Sequence, residues 1–325
     1  MTTSHLTEIS EGVHFFQPPP DRIAGWRRSA NVVILVSSQK LFLIDSGGPS
    51  VRNHITSIVH TFLTEGQRDV HCIHTHGHID HMAGASQIQN AFGAEIWAHE
   101  EAVPFVMKQS PIFLEKEHNS LIVSFRELFT APSWFVRGAM RATLGRTRSL
   151  THVGEIGYFP HLDDIGFHPV ALPGHHFGHT GFFSDELGLL IAGDLIDPRH
   201  RMKPILTAPS SDFDAMRLAL KRVQDLSPST MIPGHGTVIH GEDSIQRSIE
   251  ESLDTLETAM EAVIEILEEG PATLPELSSR MQRKGIGPGD VFRRMFIHSI
   301  LKHLLRIGKA SRHSTPRKNT IFSLQ

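Results

Sequence analysis

The sequence predicts an α/β layered protein in which strands and helices alternate over most of the first 240 residues. Short apolar runs suited to buried strands, such as 31–37 and 69–75, alternate with segments whose apolar residues recur at helical spacing. Three later strands each end in glycine accompanied by histidine or aspartate. Because loops held by a rigid sheet commonly carry functional side chains, these strand ends are candidates for a site.

The first half of the domain is predicted from apolar runs and from the residues that interrupt them. Strands are predicted at 8–17, 31–37, 40–45, 69–75 and 94–99. Gly47 and Pro49 interrupt the third of these strands, and a helix follows it. The apolar positions of that helix are Val51, Ile55, Ile58, Val59 and Phe62. A second helix is predicted from about residue 84 to 92.

Residues from about 100 to 158 interrupt the alternation and are predicted to be a helical insertion. Helices are expected at 103–108, 114–128 and 134–144. The large apolar residues of the insertion could line a substrate pocket or could pack the insertion onto the domain; they are Phe105, Met107, Phe113, Phe125, Phe129, Trp134, Phe135 and Met140. Its cationic cluster, Arg137, Arg141, Arg146 and Arg148, is either a solvated face or an anchor for an anionic group.

The second half of the domain repeats the pattern of strands that end in polar residues. A strand at 165–172 leads into Pro173-Gly174-His175, and a hairpin over 182–194 ends at Gly193-Asp194. A helix over 212–226 is expected to start at Asp212 as its N-cap, because an aspartate there can accept a hydrogen bond from the first turn. A strand at 230–233 then leads into Gly234-His235-Gly236.

The stretch 75–81 contains four side chains that can bind metal within six residues. His76 and His78 are one residue apart, and on an extended segment they can face one ion. Asp80 and His81 would then face a second ion close by. Imidazole suits zinc and its neighbours, and a carboxylate adds charge and an oxygen ligand. The alternative is a histidine-rich surface loop, since the chain contains 23 histidines.

Taken in order, these motifs resemble those of the metallo-β-lactamase-fold hydrolase superfamily over residues from about 9 to 241. The resemblance implies an αββα sandwich with a dinuclear metal site along one edge. It assigns His76, His78 and His175 to one ion, assigns Asp80, His81 and His235 to the other, and makes Asp194 the bridge. Asp45 resembles the family's aspartate that hydrogen-bonds a ligand histidine. His74, His176 and His179 lie near the motifs and are candidates for a direct role.

Two divalent ions that share a water lower its pKa to near neutrality and yield a bridging hydroxide nucleophile. In that scheme Asp80 orders the water while it binds its own ion, and Asp80 and Asp194 are the catalytic residues. Zinc is the expected metal, and the family also accepts iron or manganese with this ligand set. A sulfur dioxygenase that uses one iron is a further possibility.

Composition describes an ordinary globular protein, with 39% hydrophobic and 20% charged residues. Cys72 is the only cysteine, so neither a disulfide framework nor a thiolate cluster is expected. The start has no signal-peptide pattern, and no apolar stretch is long enough for a membrane span. A cytoplasmic location without membrane contact is therefore expected.

The C-terminal part, residues 242–325, is predicted to be a separate helical module after the hydrolase domain, residues 1–241. Helices at 242–269, 274–284 and 291–307 precede two short strands, and this order resembles the winged-helix appendage of some family members. From residue 280 onward there are eleven Lys and Arg residues and one acid, a charge of +10 in a chain of net charge −4. The module could bind nucleic acid, or it could serve as a lid or a homodimer element.

The sequence thus predicts a dinuclear-metal hydrolase that cleaves a small-molecule carbonyl substrate, either a thioester, an ester or a lactone. The alternative is a phosphodiesterase or ribonuclease that holds nucleic acid with the basic module, and we rank it below the first. A binding protein on a hydrolase scaffold ranks last, because every ligand position holds a competent side chain.

Overall fold

The structure is a computed structural model of the 325-residue chain. It describes residues 6–19, 22–23, 26–27, 29–64, 66, 68–109, 121–129, 131, 134–135, 138, 149–159, 164, 166–198, 204–287, 290–314 and 319–325.

A seven-stranded sheet forms the first of two facing layers. In chain order its strands are β1 (Leu6–Ser10), β2 (Val13–Phe16), β5 (Val32–Val36), β6 (Lys40–Ile44), β7 (Asp69–His74), β8 (Glu95–Ala98) and β9 (Gly154–Glu155). The strands lie in the spatial order β1-β2-β5-β6-β7-β8-β9. In this order, neighbouring strands from β1 to β6 pair antiparallel, and neighbouring strands from β6 to β9 pair parallel. Two further strands, β3 (Arg22–Ile23) and β4 (Trp26–Arg27), form a separate pair.

A five-stranded sheet forms the second layer. Its strands, in both chain and spatial order, are β10 (His168–Ala171), β11 (Thr180–Ser184), β12 (Leu189–Gly193), β13 (Thr230–Pro233) and β14 (Ile239–His240). Only the pair of β12 and β13 is parallel within this sheet. The parallel pairing puts the carboxyl ends of both strands at one edge, where Asp194 and His235 follow.

Helices cover the outer faces of the two sheets. Among the described residues they are α1 (Arg52–Thr64), α2 (Ile79–Met82), α3 (Ala85–Phe92), α4 (Val103–Lys108), α5 (Phe125–Phe129), α6 (Phe213–Leu226), α7 (Glu242–Glu268), α8 (Leu274–Arg283) and α9 (Asp290–Arg306). A 3₁₀ turn covers Ile156–Tyr158. None of the helices in the described part of the chain combines the length and the apolar character that crossing a membrane requires.

Three hydrophobic clusters follow from the alternation of side chains along the strands. The cluster between the sheets combines residues of the first sheet, such as Ile44 and Ile73, with Phe182 and Ile232 of the second. The opposite face of the first sheet packs against α1 and α3, and that of the second sheet packs against α6 and α7. This layering confirms the predicted αββα sandwich.

Several predicted boundaries are wrong in detail. The predicted strand 8–17 is a hairpin of β1 and β2, because Gly12, with a φ of 72°, allows a tight turn in its middle. The stretch 75–81 is a loop only as far as His78, and Asp80 and His81 lie on the single-turn helix α2. Strand β14 and a C-terminal strand, β15 (Ala272–Thr273), are two residues long and have no pattern of their own in the sequence.

The helical insertion is described in part. Helix α4 agrees with the predicted 103–108, and α5 falls at the end of the predicted 114–128. The four arginines of the predicted cationic cluster lie outside the described residues, as do Phe113 and Met140. The apolar side chains divide: Phe105 and Phe129 are buried, whereas Trp134 is 73% exposed and Phe135 is 55% exposed.

The C-terminal part packs directly onto the hydrolase layers. Helices α8 and α9 lie beside a three-stranded sheet of order β15-β17-β16, in which β16 is Ala310–Ser314 and β17 is Thr320–Leu324. Thr273 and Glu276 form a capping box at the start of α8. One hydrophobic cluster continues from the second sheet through α6 and α7 to α8, α9 and β17. The division at residue 242 and the winged-helix interpretation stay predictions.

Basic residues of the C-terminal part contact acidic residues and carbonyls of the same chain. Arg280 pairs with Glu269, and Lys284 Nζ lies 2.6 Å from Glu265 Oε2; both acids are at the end of α7. The buried Arg294 donates to the carbonyl of Glu127 at 2.8 Å. Several of the cationic side chains that contribute to the +10 charge therefore contact groups of the same chain.

Candidate metal centre

All seven predicted metal ligands lie at the same edge of the sandwich. His76 and His78 follow β7, Asp80 and His81 lie on α2, and the other three follow β10, β12 and β13; these three are His175, Asp194 and His235. Asp45 directly follows β6, whose parallel pairing with β7 brings it beside the His76 loop. Residues separated by up to 159 positions in the chain are brought together because the carboxyl ends of four strands meet here.

The potential ligand atoms form three overlapping groups. His76, His78 and His175 make one group, Asp80, His81 and His235 make a second, and His76, His81 and Asp194 make the third. Within each group all ligand atoms lie within 4.8 Å of one another. The first two groups are the two ion sites that the resemblance implied, and the third group connects them.

Asp194 lies between the two groups. Its Oδ2 is 3.4 Å from His175 Nε2 and 3.5 Å from His235 Nε2, and its Oδ1 is 3.3 Å from His81 Nε2. His235 Nε2 is also 3.2 Å from Asp80 Oδ2. One carboxylate therefore faces ligand atoms of both groups, which is the position of a bridging ligand.

The residues fit a bound divalent cation. Nε2 of His76 is buried without a hydrogen-bond partner, and the buried Nε2 of His81 and Oδ1 of Asp194 face only each other, 3.3 Å apart and without a satisfied hydrogen bond. Leaving buried polar atoms unpaired is costly, so three such atoms converging on one point indicate a ligand that completes them. Imidazole nitrogens with carboxylate oxygens are the donor set of zinc and related transition metals. A histidine-rich surface loop is excluded, because His76 and His81 are fully buried.

Asp45 orients two of the histidines. Its Oδ2 is 2.8 Å from His81 Nδ1, which directs Nε2 of that ring into the site. Its carboxylate also accepts hydrogen bonds from the backbone N–H and the hydroxyl of Thr75, each at 2.9 Å. Since that hydroxyl donates to Asp45, its oxygen can accept from His76 Nδ1 at 3.0 Å, which leaves Nε2 of His76 as the ligand atom.

Burial and charge divide the site residues into two electrostatic classes. Burial lowers the pKa of His76, His78 and His175, so these rings are neutral and their lone pairs are available. Burial also acts to lower the pKa of His81 and His235, but neighbouring carboxylates outweigh it and raise both, that of His235 to about 9. The pKa values of the carboxyls of Asp45 and Asp194 are lowered in return, against the effect of burial, by these histidines.

Metal affinity is expected to rise with pH. In metal-free protein His235 carries a proton at neutral pH, because Asp194 and Asp80 raise its pKa to about 9, and a metal ion must displace this proton. The apparent affinity should increase by about tenfold per pH unit for each displaced proton, and the contribution of His235 should level off above about pH 9. By linkage, the stability that this proton gives metal-free protein is fully present below the unfolded pKa and is lost as pH rises through about 9.

Calorimetric zinc titrations in two buffers of different ionisation enthalpy measure the protons released at pH 7. An affinity that stays constant between pH 6.5 and pH 9, with no proton release, would contradict the expected linkage.

Two other histidines have structural positions, and a third lies beside the site. His179 uses both ring nitrogens on backbone groups: Nδ1 is 2.6 Å from the carbonyl of Leu172, and Nε2 accepts from the N–H of Asp194 at 3.0 Å. It thereby holds the backbone of Asp194, and neither ring nitrogen is left to bind a metal ion or a substrate. His74 is fully buried behind Asp45, with its Nδ1 3.6 Å from Oδ1. The ring of His176 lies beside the site, 4.7 Å from that of His78.

Asn31 anchors the loop that carries His235. Its side-chain amide donates to the carbonyls of Pro233 and Gly236, and its backbone N–H donates to that of Gly234. Asn31 is buried, so these hydrogen bonds are shielded from water. A residue that immediately precedes β5 of the first sheet thus fixes the loop after β13 of the second sheet, which carries the candidate ligand His235.

Helix α4 of the insertion packs on the loop between the first two ligands. Phe105 is buried, and its ring lies 4.6 Å from that of His176 in an edge-to-face arrangement. A Cβ on Gly77 would overlap the Cβ of Phe105. Gly77 is therefore required because the insertion approaches the backbone here, and Phe105 is the wall of the site on this side.

Replacement of Gly77 by alanine is expected to destabilise the protein by about 1–3 kcal/mol, the usual cost of overpacking a core. Combining it with Phe105→Ala should recover part of this loss, so the double variant is less destabilised than the sum of the single variants. Urea denaturation of the three variants measures the coupling. Gly157→Ala is the matched control, because a Cβ there meets no atom within 4 Å. Strict additivity would show that the two residues do not oppose each other.

The family model of the metallo-beta-lactamase superfamily matches residues 25–235, which span every one of the candidate ligands. The chain belongs to the metallo-beta-lactamase superfamily. It is a metal-dependent hydrolase with the superfamily's fold and a cluster of His and Asp side chains suited to divalent metal.

Individual members of the superfamily resemble the chain to different extents. The probable metallo-hydrolase YflN of Bacillus subtilis (strain 168) is 24% identical over 215 residues, 62% of this chain and 77% of that protein. The hydroxyacylglutathione hydrolase GloC of Haemophilus influenzae is 28% identical over 122 residues, 38% of this chain and 47% of its own length. The crystal structure of a metallo-beta-lactamase family protein from Thermus thermophilus superposes with a TM-score of 0.71 at 19% identity. That alignment covers 98% of this chain and 100% of the other, so the likeness of fold extends over the C-terminal part.

Proposed function

We propose that the protein is a dinuclear hydrolase that uses zinc to cleave a carbonyl substrate, either a thioester, an ester or a lactone. The observation that carries this proposal is the position of Asp194, whose two oxygens face His81 on one side and His175 on the other. A carboxylate shared in this way supports two cations rather than one. When bound, two divalent ions would acidify a water and polarise the substrate carbonyl.

The protein's own residues would hold and orient the reacting groups. His76, His78 and His175 would hold the first ion, and Asp80, His81 and His235 the second. Asp80 is only partly buried and its Oδ2 lies 3.2 Å from His235, so it can also direct a water towards the carbonyl carbon. Phe105 closes one side of the site and limits the access of bulk water there.

A thioester is the substrate class we place first. The hydroxyacylglutathione hydrolase GloC, to which part of the chain is similar, is named for the hydrolysis of such a compound. The apolar wall formed by Phe105 and by Phe177, whose ring centroids lie 6.3 Å apart, supports an acyl group of low polarity. The substrate would be a small molecule. The chemistry does not depend on the proposed cytoplasmic location or on the proposed homodimer.

Nucleic acid ranks below a small molecule as a partner. Arg280, Lys284 and Arg306 contact acidic residues of the same chain, and Arg294 is buried, so these side chains support a structural role for the basic C-terminal residues. A phosphodiesterase or ribonuclease would need such cations directed outwards to contact phosphates.

A substrate panel tests the proposal. Zinc-loaded protein would be assayed with acyl-glutathione, acyl-coenzyme A, lactones, p-nitrophenyl esters and bis-p-nitrophenyl phosphate, and the Asp194→Asn variant would be the control. We expect one carbonyl class to be turned over at least about 100-fold faster by the parent than by the variant. Hydrolysis of the phosphodiester alone would overturn the proposal in favour of phosphoryl transfer. Elemental analysis of the protein as isolated distinguishes zinc from iron or manganese.

A further inference from the structure

The C-terminal helix α9 contacts the loop that supports one of the candidate metal ligands. Near the end of α9, Lys302 Nζ donates to the carbonyl of Ser211 at 3.1 Å. One turn further on, Arg306 donates to Asp212 Oδ2 at 3.0 Å. Both contacts are with the residues that immediately precede α6, on the side of the second sheet opposite the first.

The same two loop residues hold the main chain at His175. The hydroxyl of Ser211 donates to the carbonyl of His175 at 3.0 Å, and the N–H of Asp212 donates to the carbonyl of Gly174 at 2.8 Å. Two consecutive carbonyls at the end of β10 are therefore fixed by two consecutive residues of the loop. The backbone position of His175 depends on where that loop lies.

Close packing makes this arrangement rigid. A Cβ on Gly174 would lie 2.5 Å from the backbone of Met216, so the strand end lies directly against the first turns of α6. Asp212 caps that helix by accepting from the N–H of Ala215 at 3.0 Å. Ser211 is fully buried, and its hydroxyl also accepts from the N–H of Ala208 at 3.1 Å. A shift of this loop would therefore be expected to move the strand end with it.

Lys302 is half-buried, and this burial lowers the pKa of its ammonium group from the usual value. A charged donor on a carbonyl is stronger than a neutral one when water is excluded. The His175 ring itself is oriented by its Nδ1, which lies 2.8 Å from the carbonyl of Ile205.

We propose that Lys302 is a positioning residue of the metal centre: through Ser211 it sets the main-chain position of His175, and with it the geometry of the ion that His76, His78 and His175 hold. The C-terminal part is then a component of the catalytic scaffold. This inference rests on the proposed role of His175 as a metal ligand. A ligand displaced by a fraction of an ångström binds its ion less tightly, and partners outside the ligand set change metal affinity by about 10- to 100-fold when they contact the ligand directly.

The test uses full-length protein with Lys302→Met, which keeps the aliphatic stem and removes the donor. Stepwise zinc affinities would be measured by competition with a chromophoric chelator, and the visible spectrum of the cobalt-loaded protein would report ligand geometry. Ser211→Ala, alone and combined with Lys302→Met, tests whether the two residues act in one chain of contacts. Lys302→Arg retains a donor, and Lys309→Met is the matched control because Lys309 is exposed.

We expect Lys302→Met to weaken one of the two zinc sites by about 3- to 10-fold, less than a direct partner of a ligand would, and to change the cobalt spectrum. Ser211→Ala should act in the same direction, the double variant should be little worse than the worse single variant, and Lys302→Arg and Lys309→Met should resemble the parent. Unchanged affinities and spectrum in a folded Lys302→Met protein would overturn the inference, as would fully additive effects or equal weakening of both sites. If the parent itself binds no zinc, the proposed function fails instead, so the two failures are distinguishable.

Discussion

Replacement of Asp194 by asparagine is expected to leave the protein folded, to remove one of two bound ions and to lower turnover by more than about 100-fold, beyond the range found for groups that contact only a ligand. An amide keeps the shape of the side chain but loses the charge and one oxygen. It therefore cannot bridge the two ions that His81 and His175 would help to hold. The fold should persist, because His179 holds the backbone N–H of Asp194, which the substitution leaves intact.

Elemental analysis and steady-state kinetics of the variant measure both effects. Asp185→Asn is the matched control, since this exposed aspartate lies on the turn of the same hairpin and pairs with the half-buried His168. Full metal content in the Asp194→Asn protein would remove Asp194 from the ligand set.

Asp45→Asn is the second substitution with a large expected effect, a loss of about 10- to 100-fold in metal affinity or in kcat/KM. The amide would present an N–H to one of the groups that now donate to the carboxylate, His81 Nδ1 or the hydroxyl of Thr75. A mismatch at His81 would free its ring to rotate. A mismatch at Thr75 would disturb the hydroxyl that orients the His76 ring, so that ring would also be free to rotate. Because the folded pKa of Asp45 is depressed, its charge stabilises the parent above the unfolded pKa, and this stability is lost as pH falls towards the folded pKa.

Zinc competition titrations and thermal unfolding of the Asp45→Asn protein would separate the metal effect from the effect on stability. Asp69→Asn is a suitable control, because Asp69 is exposed at the opposite end of β7. If affinity, kcat/KM and the spectrum of the cobalt-loaded variant all match those of the parent, Asp45 does not orient the ligands.

The clustering of the candidate ligands could be predicted because several of them stand next to a signal of their own. His175, Asp194 and His235 each follow an apolar strand and a glycine, and the carboxyl ends of such strands meet at one edge of a layered sheet. The predicted N-cap at Asp212 is confirmed for a similar reason, since capping depends on the neighbouring three residues.

The supporting residues could not be predicted in this way. Asn31 and Ser211 donate to backbone carbonyls 202 and 36 residues away. Thr75 donates to the carboxylate of Asp45, 30 residues away, and also has a local contact with His76. A polar residue at the start of a strand or helix has the same sequence pattern whether it caps a local turn or anchors a distant loop. The positive charge of the C-terminal part was likewise ambiguous, because the sequence does not show whether a cation faces an acid of the same chain or the solvent.

The ratio of zinc to protein tests the central claim most directly. Full-length protein, freed of metal with a chelator, reloaded with zinc and passed through a desalting column, would be analysed by inductively coupled plasma mass spectrometry. Two ions held by His76, His78, Asp80, His81, His175, Asp194 and His235 predict a ratio of two zinc ions per chain. A ratio of one or less would contradict the account.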